Sequence, residues 1–206
     1  MDIGRAKFGR LFAIFLLTFV GLPNPARAGD SDLSAHAQLV GKPLHLIIAF
    51  GEQYVDGDEL YDVKITVMKV LRGAPAETLV KSASASNPSP RKGFEYVAAR
   101  VRLEFSARVV PEHYDFTLDP SQFSCVSPEG STYPAVNLVA QPKPSLHATL
   151  HSGESAAGWV VLLVPRNDRT PLMLFVPNVG TTSHTGASSI FRLYSAASLG
   201  SAVKSS

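Results

Sequence analysis

A serine between glycines, six histidines, one cysteine and an acidic run are the residues of this 206-residue chain whose types could do chemistry. Gly153-Glu154-Ser155-Ala156-Ala157-Gly158 comes close to a nucleophile elbow, Gly-x-Ser-x-Gly, in which a strained strand-to-helix turn exposes the serine. The second glycine arrives one place late, and WVVLLVP follows, a β-branched run closed by proline that reads as strand. Gly153 and Gly158 are therefore expected at a turn and at the start of a strand, with Ser155 facing solvent. His147 and His151 would share a strand face about 13 Å apart, too far for a pair of metal ligands. A blue-copper centre needs His and Met shortly after its cysteine, and VSPEGSTYPA follows Cys125 instead. Asp56, Asp58, Glu59 and Asp62 lack the terminal glutamate of a twelve-residue calcium loop. They read as a solvated acidic turn, with a weak calcium site as the alternative. Cys125 cannot form an internal disulfide; it reads as a buried small hydrophobe, with an intermolecular bridge as the sharper alternative. No catalytic residue, metal ligand or cofactor is expected.

The elements that would hold these residues are strands. In YVAARVRLEF, Val97, Ala99, Val101, Leu103 and Phe105 alternate with Ala98, Arg100, Arg102 and Glu104, the pattern of a strand with one wet face. Further strands are expected at 44–50, 62–71, 114–118, 123–127, 146–150, 159–164, 172–176 and 190–194. Turn residues separate them, among them Asp119-Pro120, Pro128-Glu129-Gly130, Ser152-Gly153 and Asn167-Asp168. The spacing predicts an all-β fold of about nine short strands, a sandwich or barrel. No amphipathic helix of useful length stands out, although 30–40 could form a short one. The Ser-, Ala- and Pro-rich segment 81–93 reads as a long loop.

The N-terminus reads as a secretory signal. Arg5, Lys7 and Arg10 precede the apolar run Leu11 to Val20, which is too short to span a bilayer, and Ala26-Arg27-Ala28 is a small-x-small cleavage site. Cleavage after Ala28 would remove four basic residues and one acidic one, taking the chain from 19 basic and 17 acidic residues to 15 and 16, so net charge moves from +2 to −1. That leaves no basic stripe for nucleic acid. The expected organisation is a signal peptide at 1–28, an N-terminal segment at 29–43, one domain at 44–194 and a tail at 195–206. The product would be periplasmic or secreted, without a membrane anchor.

The order FGEQYVDGDELYDVKITVMKVLRG, RKGFEYVAARVRLEFSA, FSCVSPEGSTYPA and LHSGESAAGWVVLLVPRNDRTPLMLFVP resembles the immunoglobulin-like domain of unknown function common in bacterial exported proteins and lipoproteins. That family is related to a secreted mycobacterial immunoprotective antigen. Gly93, Gly130, Tyr133, Gly153, Glu154, Gly158, Pro165, Leu174 and Pro177 carry the resemblance, over about residues 44–194. Two features depart from it. FSARVV stands where the family commonly has an asparagine motif, and the lipid-attachment cysteine is missing. The resemblance implies an immunoglobulin-like β-sandwich and a non-enzymatic module for adhesion or partner binding, and it transfers no catalytic residue.

One feature departs from a sandwich with one wet side. Val160, Leu162 and Val164 match inward positions, yet Trp159, Val161 and Leu163 are apolar too. On the next strand Met173 and Phe175 oppose Leu172, Leu174 and Val176. If the two strands are hairpin neighbours, Trp159, Val161, Leu163, Met173 and Phe175 make one apolar patch. The patch would be covered by the chain's own N-terminal segment or tail, or be an interface with an envelope protein or a second copy, or bind a lipid or other apolar ligand. The functional expectation is an exported, non-enzymatic interaction module working through this face. The alternative is a periplasmic carrier of a small apolar ligand or a weakly held metal ion.

Overall fold

Residues 33–50, 59–108, 113–178, 184–185 and 189–194 are described by the computed structural model of the chain, and they belong to one unit, Ser31–Ser206. The signal peptide expected at 1–28, Asp56, Asp58 and the tail at 195–206 lie outside the described residues.

Ten strands form among the described residues: β1 Pro43–Phe50, β2 Glu59–Arg72, β3 Phe94–Ala107, β4 Phe116–Leu118, β5 Phe123–Val126, β6 Ala148–Leu150, β7 Ser155–Pro165, β8 Leu172–Phe175, β9 His184–Thr185 and β10 Ser189–Arg192. Nine of them fall on the strands expected from alternation. They build a five-stranded sheet in the order β7-β3-β2-β1-β9, a three-stranded sheet β10-β8-β5 and a two-stranded ribbon β4-β6. Every pairing between these strands is antiparallel.

The alternating residues of β3 face one shared core. Val97, Ala99, Val101, Leu103 and Phe105 meet Tyr61, Val63, Ile65 and Val67 of β2 and Val160, Leu162 and Val164 of β7. Phe123, Cys125, Met173, Phe175 and Phe191 enter the same core from the three-stranded sheet, and Phe116, Leu118 and Leu150 enter it from the ribbon. At one end, rings of Tyr61 and Phe105 stack 4.7 Å apart and Phe50 meets Tyr61 edge-on at 5.2 Å. The chain thus covers one face of its large sheet with the smaller sheets, the side where alternation put its apolar residues.

The other face differs from expectation. A helix, α1 Ala74–Ala83, occupies the first half of the β2–β3 connection and takes in the first three residues of the segment 81–93 expected as loop, while 84–93 is loop. Gly73 precedes it with φ 64°, and its N–H bonds Tyr96 O at 3.0 Å. A proline opens the first turn, where the missing N–H costs nothing, and Glu77 and Lys81 match the helix dipole. Ala76 and Val80, one turn apart, are buried. They pack with Tyr96, Ala98, Trp159, Val161 and Leu163 into a second apolar cluster on the outer face of the large sheet. Beyond the helix that face is charged: Lys64, Glu104 and Arg102 form a ladder with contacts of 3.1 and 3.4 Å. The expected helical stretch at 30–40 is a single 3-10 turn, Leu33–His36.

Candidate functional site

The five residues of the expected patch do not come together. Trp159, Val161 and Leu163 do point outward from β7, but they are 7 %, 8 % and 8 % exposed beneath α1 and a strap, residues 133–147, which adds Val136 and Leu138. The cover is the chain's own, supplied by α1 and the strap. Met173 and Phe175 point the other way, fully buried in the main core. The assumption that β7 and β8 are hairpin neighbours is what fails. After β7 the chain crosses to the other layer, where β8 pairs with β5 and β10, placing Phe175 opposite Phe123 and Met173 opposite Cys125 and Phe191.

Hydrogen bonds fasten the strap along its length. Asn87, 1 % exposed, donates from Nδ2 to Val80 O and Ala140 O, 2.8 Å each, and its Oδ1 accepts from Ala140 N at 3.0 Å. One amide thus ties the end of α1 to the strap. Tyr133 Oη donates to Asp168 Oδ2 at 2.7 Å. Trp159 N donates to Pro144 O at 2.9 Å, where the strap crosses β7 at Gly158. A Cβ on Gly158 would sit 2.5 Å from Leu146 N and Ser145 C, so only glycine lets the two backbones touch. The other glycine of GESAAG, Gly153, takes φ 85° in the turn leading into β7. Ser155 opens that strand, exposed, with no strand-to-helix turn around it.

Between the strap, β5 and β7 lies a groove of about 660 Å³. Phe123, Tyr133, Val136, Val161 and Leu162 give it an apolar lining, and Ser124, Asn137, Gln141 and His147 add hydrogen-bonding groups. The volume is that of a small-ligand site. Its one carboxylate is already engaged: Asp119 Oδ2 accepts from His147 Nδ1 at 2.8 Å. Hydrogen bonds from Ser121 hold the Asp119 carboxyl below its ordinary value, with a smaller contribution from His147. Asp119 also caps the 3-10 turn Pro120–Gln122, accepting from Ser121 N at 2.8 Å while its own N–H bonds Gln122 Oε1. A matching pair, His151 Nδ1 to Asp115 Oδ1 at 2.6 Å, closes the other end of the β4–β6 ribbon. The histidines expected to be exposed polar residues on the wet face of β6 are exposed, and each holds a carboxylate on the neighbouring strand.

Cys125 also borders the groove, unpaired and 3 % exposed. Burial pushes its thiol up to about 12, so it is a poor nucleophile and metal ligand. Among the described residues no cluster of three His, Cys, Asp or Glu has the geometry to hold a metal ion, and no helix is long and apolar enough to cross a membrane.

No family model matches the chain, and no curated protein does. Among solved structures the chain is similar to the crystal structure of "a putative lipoprotein (ycdA) from Bacillus subtilis", at 11 % identity and a TM-score of 0.45. The similarity covers 69 % of this chain and 40 % of that one, so this chain spans less than half of its neighbour's length.

Proposed function

We propose that this protein is an exported, non-enzymatic binding module that works at the cell envelope on an immunoglobulin-like β-sandwich, and that its binding surface is the groove beneath the strap. The supporting observation is that groove: about 660 Å³, aromatic and aliphatic inside, rimmed by neutral hydrogen-bonding side chains and an internally paired Asp119–His147. The apolar outer face of the sheet is filled by α1, which leaves the sheet's edge for this role. Carriage of a small apolar ligand is the second reading, favoured by Phe123, Val136 and Leu162 in the lining.

The test is a chemical-shift survey of the labelled mature chain against four probes: an uncharged peptide pool, maltotriose, a twelve-carbon fatty amide and calcium. Shifts clustering on Phe123, Asn137, Gln141 and Val161 for any organic probe are expected. Shifts that scatter, or none from all four, would remove the groove as the site.

A further inference from the structure

The edge of β7 that borders this groove at Val161 and runs on to Leu163 is chemically unfinished. In the β3–β7 ladder Phe105 N bonds Glu154 O, and Gly153 N bonds Phe105 O. The register sets Leu103 opposite Ala156, Val101 opposite Gly158 and Ala99 opposite Val160. Antiparallel pairs alternate between bonded and non-bonded, so Val160, Leu162 and Val164 spend their backbone groups on β3. Trp159, Val161 and Leu163 turn theirs the other way. Trp159 N bears this out by reaching Pro144 O on the far side. β7 is the last strand of its sheet, and no described residue hydrogen-bonds the N–H or C=O of Val161 or Leu163. Two donors and two acceptors therefore face away from the sheet at strand spacing, about 7 Å from one residue to the next of the pair.

An open edge of this kind is a template for another strand. Natural edges are blunted by charge, proline or cover. Here, among the described residues, the strap bridges β7 at Trp159 through Ser145, and Val161 lines the groove. The side chains of Val161 and Leu163 pack under α1, so what the edge of β7 adds to the apolar lining is main chain. The lining's one carboxylate, Asp119, already accepts from Ser121 N and His147 Nδ1, and the other polar side chains there are hydroxyls and amides, a lining suited to an uncharged ligand.

We propose that the groove takes an uncharged, extended peptide segment of a partner protein, which adds as a strand to β7 by hydrogen bonding Val161 and Leu163. The inference rests on the groove being the binding site. Main-chain bonds give the affinity, and alternate side chains of the guest are read by the aromatic lining, Phe123 and Tyr133, and by the amides of Asn137 and Gln141.

The experiment uses the labelled mature chain and a pool of acetylated, amidated heptapeptides randomised over Val, Thr, Ser, Ala, Asn, Gln and Tyr. In the free protein the amides of Val161 and Leu163 should exchange with solvent much faster than those of Val160, Leu162 and Val164. The pool should slow Val161 and Leu163 by tenfold or more. N-methylation of alternate residues of the best binder should weaken it about tenfold per blocked bond in one register and leave it unchanged in the other. Protected Val161 and Leu163 in the free protein, peptides that fail to slow them, or binders indifferent to N-methylation in both registers would overturn the strand. Groove shifts from maltotriose or the fatty amide, with the peptides inert, would overturn it too while leaving the groove as the binding site.

Discussion

The crossing at Gly158 offers the sharpest test of how the strap is held. Replacing Gly158 with alanine adds one methyl, which lands 2.5 Å from Leu146 N and from Ser145 C and 2.6 Å from Ser145 O, where ordinary contact begins at 3.4 Å. The strap must retreat by about 0.9 Å, and all three atoms are backbone, so no side chain can rotate aside. Overpacking of this kind costs about 1–3 kcal/mol. The retreat also stretches the 2.9 Å bond from Trp159 N to Pro144 O, worth about 1 kcal/mol. Gly158→Ala is therefore expected to destabilise the protein by about 2–4 kcal/mol, or roughly 5–15 °C in Tm for a chain of this size. Urea unfolding followed by tryptophan emission measures this directly, because Trp159 is the chain's one tryptophan and sits at the crossing. The native emission should shift to the red as the strap lifts. An alanine variant within about 0.5 kcal/mol of the parent, with unchanged native emission, would refute the close crossing.

Other perturbations read other parts of the molecule. Asn87→Ala leaves Val80 O and both backbone groups of Ala140 without their partner and should cost about 2–4 kcal/mol in urea unfolding; a loss under about 0.5 kcal/mol would mean the strap is fastened elsewhere. Trp159→Glu puts a charge among Ala76, Val80 and Val161, so circular dichroism should show a protein unfolded or far less stable; a folded variant of normal stability would put the indole outside that cluster. Asp115 holds the pKa of His151 above its ordinary value, so the pair's contribution is present below the unfolded value of about 6.5 and is lost as pH rises through the folded value. Asp115→Asn should lower the His151 midpoint in an NMR titration, and an unmoved midpoint would deny the pair. Cys125, its thiol pushed up to about 12 by burial, should ignore Ellman's reagent at pH 8 until the protein is unfolded; rapid modification of the native protein would show an open path to the sulfur.

How much of this was legible follows from which forces leave a local trace. Alternation did: the apolar face of β3 and the inward residues of β7 lie in the core where their period placed them. Pairing did not, because nothing in WVVLLV or LMLFV says that β7 joins β3 while β8 joins β5 in another layer. That single topological step inverted Met173 and Phe175 and broke the expected patch apart. The helix was lost for a different reason. APAETLVKSA buries only Ala76 and Val80, and ten residues carrying two buried positions barely register as amphipathic. Yet the doubly apolar β7 was itself evidence that something covers Trp159, Val161 and Leu163, and the β2–β3 connection was the segment free to do it. The site had one readable trace. DFTLD and HATLH carry acids and histidines at the same interval of four, and an antiparallel pairing of the two sets each histidine against an acid, at both ends of the β4–β6 ribbon. Read singly, those histidines looked like exposed polar residues. Read as a complementary pair of segments, they predict the ribbon and its register, and the ribbon places His147 and Asp119 in the lining of the groove.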